Sequence, residues 1–115
     1  FTLLHRQIAA RSLIVNATLR YVDQHRQELK SRYTSFDDFY SNYTVPQSMT
    51  DSIFAEAERL KLKGYSKEEC DKTLPMLKVQ LKALIARDIW DMNEYYRIMN
   101  EQNRIVQKAV EIATK

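Results

Sequence analysis

The sequence LKLKGYSKEE at residues 60–69 decides the fold class, because it holds the one glycine of the 115-residue chain. Gly64 is predicted to end a helix in the left-handed conformation that glycine adopts most readily. Ser66 is predicted to begin the next helix, with Glu69 three residues later completing a capping box. Tight hairpins and phosphate-binding loops both require glycine. A chain with a single glycine is therefore predicted to be all-α.

Upstream of this turn, the spacing of apolar residues predicts three helices. Residues 3–32 contain neither glycine nor proline, and they are predicted to form one amphipathic helix, the longest of the chain. Its apolar stripe consists of Leu4, Ile8, Val15, Leu19, Val22 and Leu29, widened by Ile14, Ala17 and Tyr21. A short helix is predicted over residues 36–43 behind the N-cap Ser35. A third helix is predicted from Pro46, which suits a first helical turn, to about residue 63.

Downstream of the turn, the next helix is predicted to break or kink at Pro75, because proline lacks the N–H group that a helix interior uses. A further amphipathic helix then ends near Trp90. A short helix follows, is interrupted at residues 100–103, and gives way to a last helix over residues 105–112. The sequence therefore predicts a compact bundle of six to seven helices, all within a single domain over residues 1–115.

The chain holds no arrangement of residues that predicts catalysis or metal binding. His5 and His25 lie on one predicted helix, about 30 Å apart at the helical rise per residue, and are predicted to be surface histidines rather than ligands of one ion. Cys70 has the acidic neighbours Glu69 and Asp71, which disfavour a reactive thiolate. No serine lies in the glycine-rich turn of a nucleophile elbow. The prediction is a non-enzyme with no catalytic residue, cofactor, metal or small-molecule substrate.

The charges predict a solvated surface and no nucleic-acid partner. The chain has 18 basic and 15 acidic side chains, a formal net charge of +3, and they are interspersed along the sequence. No run of five like charges occurs, so no basic patch is predicted. No stretch approaches the ~20 apolar residues that a transmembrane helix needs.

Two concentrations of aromatic residues are the distinctive feature of the sequence. The first comprises Tyr33, Phe36, Phe39, Tyr40 and Tyr43, and the second comprises Trp90, Met92, Tyr95, Tyr96 and Met99. Aromatic residues at helical spacing usually pack in the core, but they are also enriched in protein-binding surfaces. The candidate interaction surface consists of Tyr33, Phe36, Tyr40, Tyr43, Trp90, Tyr95 and Tyr96.

Several segments resemble one known family over most of the chain. They are YVDQHRQELK at 21–30, the aromatic residues of 36–45, LKALIARDIW at 81–90, YYRIMNE at 95–101 and KAVEI at 108–112. In this order they resemble the C-terminal helical region of the carboxyl-terminal processing (tail-specific) serine proteases of bacterial cell envelopes. The run LKALIARD, followed by the Tyr-Tyr and Asn-Glu pairs, carries most of the resemblance.

The resemblance implies an exported parent protease, located in the periplasm or cell envelope, with a PDZ domain and a Ser–Lys catalytic dyad outside this chain. None of the family's catalytic motifs has a counterpart here. The chain is then an excised C-terminal fragment and a non-catalytic accessory domain. It is expected to pack on the protease core of the same polypeptide, or to mediate homo-oligomerisation or substrate access. The alternative is a stand-alone helical adaptor that binds a peptide or protein in an aromatic-lined groove.

Overall fold

The described residues of the chain fold into six helices. A computed structural model describes residues 2–114, with the side chains of residues 2–102 and 104. The helices are α1 (Leu3–Ala10), α2 (Leu13–Arg32), α3 (Phe36–Asn42), α4 (Gln47–Arg59), α5 (Lys67–Ile89) and α6 (Met92–Thr114). No strand occurs among the described residues. The predicted all-α fold and the predicted number of helices are confirmed.

The six helices form a slab with α5 near its middle. Its dimensions are 43 × 38 × 20 Å, and the shortest of them is about twice the diameter of a helix. Helix α5 packs extensively on α6 and α2 and also contacts α1 and α4, and α2 packs on α1 and α4. Helix α6 packs mainly on α5, and these two helices make the most extensive contact between any two helices of the fold.

The prediction of one long helix over residues 3–32 is wrong, because the chain turns at Ser12. Ser12 has a left-handed φ of 60°, and it separates α1 from α2. Leu4 and Ile8 are buried in α1, and a continuous helix would have carried that buried face on to the polar residues Arg11 and Ser12. The turn avoids this burial. The longest helices are α5 and α6, with 23 residues each.

The turn also changes which face of α2 is buried. Ile14, Ala17 and Val22 lie in the core, whereas Val15 and Leu19 of the predicted stripe are 40% and 46% exposed. Both sets satisfy helical periodicity, so spacing alone does not distinguish them. The break at Ser12 determines which of the two sets faces the rest of the molecule.

Helix α3 begins as predicted, but α4 ends before its predicted boundary. The Ser35 hydroxyl accepts a hydrogen bond from the Asp38 amide at 3.1 Å. At the end of α4, Lys61 takes the left-handed conformation with φ 55°, and the Leu62 amide donates to the Ala57 carbonyl at 3.2 Å. This is a Schellman ending. It buries Leu62, which a longer helix would have placed off the buried face.

Gly64 is left-handed, but it does not end α4 as predicted. Its φ is 83°, and a Cβ atom at this position would lie 3.3 Å from the Leu3 side chain and from the Leu4 amide nitrogen. The glycine therefore allows the α4–α5 connection to lie against the start of α1. The close approach, rather than the helix ending, explains the glycine at this position.

Helix α5 begins as predicted and then continues through Pro75. The Ser66 hydroxyl accepts from the Glu69 amide at 3.1 Å. The predicted break at Pro75 is wrong, because Thr73 and Leu77 on either side are buried and hold the helix to its neighbours. Pro75 and Asp71, whose carbonyl lacks the N–H partner that residue 75 would supply, are both exposed, so this carbonyl can be hydrated.

Helix α6 also continues where an interruption was predicted, at residues 100–103. An ion pair between Arg104 and Glu101, three residues apart, supports the helix there. The last predicted helix, over residues 105–112, is therefore part of α6, and its side chains lie outside the described residues. Within the part of the chain that the structure describes, no helix has an apolar stretch long enough to cross a membrane.

Candidate functional site

The structure divides the seven residues of the candidate interaction surface between the core and the exterior. Tyr33, Phe36 and Tyr43 are buried, and Trp90 and Tyr95 are half-buried. Only Tyr40 and Tyr96 present much of their rings to solvent, with 38% and 53% of each residue exposed.

The buried aromatic residues surround Phe39, which is fully buried. Tyr43 stacks on Phe39 at 4.7 Å between ring centroids, and Trp90 meets it edge-on at 5.3 Å. Tyr33 contacts both Phe39 and Tyr43 in edge-to-face geometry. These contacts join α3 to the ends of α2 and α5. These aromatic rings form part of the hydrophobic core, so a partner protein cannot contact them in this conformation.

Tyr40 lies between two hollows where α3, α5 and α6 meet. The hollows have volumes of about 250 and 210 Å³. We call this region the Tyr40 surface; its residues are Phe36, Asp37, Tyr40, Val79, Lys82, Arg97, Ile98, Glu101 and Gln102. It combines an exposed aromatic ring with apolar side chains and both signs of charge, as protein-binding surfaces commonly do.

Lys82 holds α3 against α5 beneath Tyr40. Its Nζ donates hydrogen bonds to the carbonyl oxygens of Tyr40 and Tyr43, at 2.7 and 2.8 Å. The same ammonium lies 5.5 Å from the Tyr40 ring centroid and 5.8 Å from that of Phe39, within the range of cation–π attraction. Burial lowers the pKa of Lys82 from its usual value. The sequence did not predict this role of Lys82. The available signal was a charged residue between two apolar ones, Leu81 and Ala83, on a predicted amphipathic helix.

Arg97 connects α6 to α3 across the Tyr40 surface. Its guanidinium lies 4.5 Å from the Phe36 ring centroid and donates to Asp37 Oδ1 at 3.4 Å. Both side chains of the ion pair are mostly exposed, so solvent and salt screen their attraction. The pair therefore contributes more to the charge pattern of the surface than to stability.

A second surface runs along α2, facing α4 and the α3–α4 connection. Three neighbouring hollows of about 210, 260 and 290 Å³ follow one another and share lining residues. We call them the α2–α4 groove; their polar and aromatic lining includes Asn16, Arg20, Tyr21, Gln24, His25, Glu28, Arg32, Tyr33, Tyr43, Ser48, Ser52 and Glu56.

Three tyrosines border the last hollow of the α2–α4 groove. The Tyr43 hydroxyl donates to the Tyr21 hydroxyl at 3.0 Å, and Tyr33 lies at the same hollow. Burial, followed by this hydrogen bond, raises the pKa of the Tyr43 phenol above its ordinary value. Tyr43 therefore stays neutral at physiological pH, and the two phenol groups at this end of the groove form an uncharged, hydrogen-bonded pair.

His5 is a core residue between α1 and α5, and its predicted surface position is wrong. It is 3% exposed, and its Nε2 lies 2.6 Å from Gln80 Oε1. Burial lowers the pKa of His5 below 6.5. A hydrogen bond of 2.5 Å between the hydroxyls of Thr2 and Thr73 secures the start of α1 to the same helix. These buried polar contacts position α1 on α5.

The remaining chemistry-bearing residues are dispersed. Cys70 is a free, half-buried thiol, and burial is the main cause that raises its pKa. Among the residues that the structure describes, no group of three or more His, Cys, Asp or Glu is placed to hold a metal ion.

Comparison with known proteins identifies the family of the chain. No curated protein and no solved structure matches the sequence. The model of a family of unknown function, DUF8443, matches residues 4–91. The match includes nearly all of α1, all of α2–α5, and ends at Asp91, directly before α6. Because it covers most of the sequence, the chain belongs to the DUF8443 family.

Proposed function

We propose that this chain is a non-catalytic helical accessory domain that docks onto another protein surface through the Tyr40 surface. The observation that carries the proposal is the exposed ring of Tyr40, whose centroid lies 5.5 Å from the Lys82 ammonium. The same ammonium donates to the Tyr40 carbonyl and so fixes the backbone that carries the ring, and a pre-positioned side chain loses less conformational entropy on binding. Such residues are typical centres of binding energy in protein interfaces.

The surroundings of Tyr40 suit a protein partner. The two hollows beside the ring are shallow sites for apolar side chains, one lined by Val79 and Ile98 and the other by Phe36. Arg97 and Asp37 at the rim supply charges of both signs. This arrangement of an apolar centre and a charged rim matches the general organisation of interfaces.

The partner follows from the sequence resemblance to carboxyl-terminal processing proteases. We propose that the domain packs on the protease core of the same polypeptide, in the periplasm or cell envelope, or mediates homo-oligomerisation there. In either position it would govern access of substrates to the core. The proposal predicts that the reading frame upstream of Phe1 encodes a Ser–Lys protease core, and a frame without one would contradict the proposed parent.

The docking surface is tested with that core expressed separately. Tyr40→Ala is expected to weaken binding of this chain to the core at least about tenfold, the effect of losing a central aromatic residue in an interface. Isothermal titration calorimetry measures the affinity, and thermal unfolding verifies that the variant remains folded.

Tyr96→Ala is the matched control, because Tyr96 is an exposed tyrosine outside the Tyr40 surface. It is expected to leave the affinity unchanged. If Tyr96→Ala weakens binding and Tyr40→Ala does not, the contact lies on the exposed side of α6 and not on the Tyr40 surface. If neither changes the affinity, docking through these aromatic residues is wrong.

A second candidate function is an adaptor that binds an extended acidic peptide in the α2–α4 groove. In the groove, Glu56 is paired with Arg59, and the Glu28 carboxylate lies 3.3 Å from His25 Nδ1. Arg20 and Arg32 take part in none of the described salt bridges, although Arg20 lies close enough to Glu56 to help Arg59 lower the pKa of that carboxyl. These two arginines are about 18 Å apart along α2. A strand-like peptide covers that distance in about five or six residues.

The adaptor function is tested with a fluorescent peptide that carries two glutamates at this spacing. It is expected to bind wild-type protein more tightly than the same peptide with glutamines, and the difference is expected to vanish in the double variant Arg20→Gln, Arg32→Gln. Fluorescence anisotropy measures both affinities. Equal affinities for the two peptides would contradict the proposal that the α2–α4 groove recognises acidic side chains.

A further inference from the structure

Positive charge is concentrated where the α4–α5 connection meets the start of α1. Residues 59–67 contain four basic and no acidic side chains. We call this region the lysine corner; its residues are Leu3, Arg6, Lys61, Lys63 and Lys67. We propose that the lysine corner docks on an anionic phospholipid membrane, with its cations at the headgroups and Leu3 inserted between them. The inference goes beyond the proposed function, because it concerns residues outside the Tyr40 surface.

Burial of Leu62 leaves its neighbouring lysines on the outside of the connection. Leu62 is 6% exposed, and its amide donates to the Ala57 carbonyl at 3.2 Å. Lys61 and Lys63, on either side of it, are both exposed, as is Lys67 at the start of α5. The three lysines lie within seven residues, and charges so close in the chain act together over a Debye length of about 10 Å.

The cations of the lysine corner are not neutralised by neighbouring carboxylates. Among the residues that the structure describes, none of these four basic side chains takes part in a salt bridge. The nearest carboxylates along the chain have other partners: Glu58 accepts from the Tyr65 hydroxyl at 3.2 Å, and Glu68 pairs with Lys72. An anionic surface would therefore meet uncompensated charges, and each lysine near such a surface strengthens binding about fivefold.

An exposed leucine at the lysine corner favours a membrane over other anionic partners. Leu3 is 45% exposed, although it lies so close to Gly64 that an added Cβ atom there would be 3.3 Å from its side chain. Arg6, three residues later, is exposed on the same side of α1. An apolar side chain among cations is typical of sites that enter the boundary between headgroups and acyl chains. None of the hollows described above includes a residue of this corner, which suits a broad surface better than a peptide.

Co-sedimentation of the full chain with lipid vesicles tests the role of charge. Phosphatidylcholine vesicles with about 30% phosphatidylglycerol are expected to bind the chain at least about tenfold more tightly than pure phosphatidylcholine vesicles at low salt. The double variant Lys61→Gln, Lys63→Gln is expected to bind the anionic vesicles about 25-fold more weakly. Lys30→Gln, Arg104→Gln is the matched control, because it removes the same charge from exposed positions outside the corner. It is expected to change the affinity less than about twofold.

A leucine variant tests insertion into the membrane. Leu3→Ser is expected to weaken binding to the anionic vesicles at least about threefold, because apolar surface is no longer removed from water. The salt dependence of binding is expected to stay as in wild type, since no charge has changed. Leu19→Ser, at a leucine of α2 that is 46% exposed, is the matched control and is expected to leave the affinity unchanged. Thermal unfolding verifies that each variant remains folded.

Three results would overturn the proposal. Equal binding of the wild-type chain to the two kinds of vesicle would show that the corner does not recognise anionic lipid. Equal losses in the two charge variants would mean that net charge alone causes the binding. A short DNA duplex that binds as tightly as the anionic vesicles, with no effect of Leu3→Ser on either, would identify a general polyanion site instead. The proposed function is judged separately, by the effect of Tyr40→Ala on binding to the protease core, because the vesicles contain no protein.

Discussion

Lys61 occupies a backbone conformation that costs an L-residue about 1 kcal/mol or more, because its Cβ atom crowds the following carbonyl. Lys61 has a φ of 55°, and its conformation ends α4 and lets Leu62 be buried. Ser12, between α1 and α2, has a φ of 60° and therefore the same conformational free-energy cost. Both sites are therefore places where a glycine would fit the backbone better than the native residue.

Lys61→Gly is expected to stabilise the protein by about 0.5–1 kcal/mol, because relief of left-handed strain outweighs the greater freedom of glycine in the unfolded chain. Urea denaturation measures the change as a higher midpoint with an unchanged slope. Lys63→Gly is the matched control, since Lys63 is a nearby exposed lysine without a positive φ. It is expected to be neutral or destabilising. A loss of stability in both variants would contradict the argument.

His5 makes stability depend on pH through its buried ring. Burial lowers its pKa below the 6.5 of an unperturbed histidine, so below that pH the unfolded chain binds a proton before the folded one does. Stability is therefore complete above about pH 6.5 and is expected to fall as the pH decreases toward the folded pKa, by at most about 1.4 kcal/mol per pH unit for one proton.

Chemical denaturation at several pH values between 7.5 and 5 measures this dependence. His5→Gln is expected to flatten it, because glutamine keeps a polar group near Gln80 but does not titrate. An unchanged slope in the His5→Gln variant would show that other groups cause the loss of stability.

At the scale of the helices, starts were predicted more accurately than interruptions. Ser35 and Ser66 begin their helices as expected, because a hydroxyl that caps a backbone amide is a local interaction visible in a few residues. The turn at Ser12 and the continuity through Pro75 depend on which residues the neighbouring helices bury. Such tertiary contacts outweigh local propensity, and the local sequence contains no record of them.

Pro75→Ala is expected to stabilise α5 by about 1–3 kcal/mol, because alanine restores an N–H inside the helix and removes the clash of the ring with the preceding turn. Thermal unfolding followed by circular dichroism measures the shift. Lys72→Ala, at another exposed position of α5, is expected to stay within about 0.5 kcal/mol of wild type. A destabilised Pro75→Ala variant would mean that the proline shape is required by the packing of α5.

At the scale of the whole molecule, the aromatic residues show why the candidate interaction surface could be only partly located in advance. Tyr33, Tyr40 and Tyr43 belong to one sequence cluster, yet only Tyr40 lies well exposed. Helical spacing says which residues share a face, but not whether another helix covers that face. Lys82 was missed for the same reason, since its partners are carbonyl oxygens some 40 residues away.

The charge of the whole molecule predicts weak and nonspecific contact with nucleic acid. Its net charge is +3, with acidic side chains interspersed among the basic ones, so few phosphates can be neutralised at once. Binding to a 20-bp DNA duplex is expected to be weaker than about 100 μM at 150 mM salt, and a log–log plot against salt should have a slope shallower than about −3. Asp23→Lys is the informative variant, because it joins Arg20 and Lys30 into a basic stripe on α2, and it should steepen the slope by about one. Micromolar binding by the wild-type protein, with a slope of −6 or steeper, would instead reveal a concentrated basic surface and contradict the expected absence of a nucleic-acid partner.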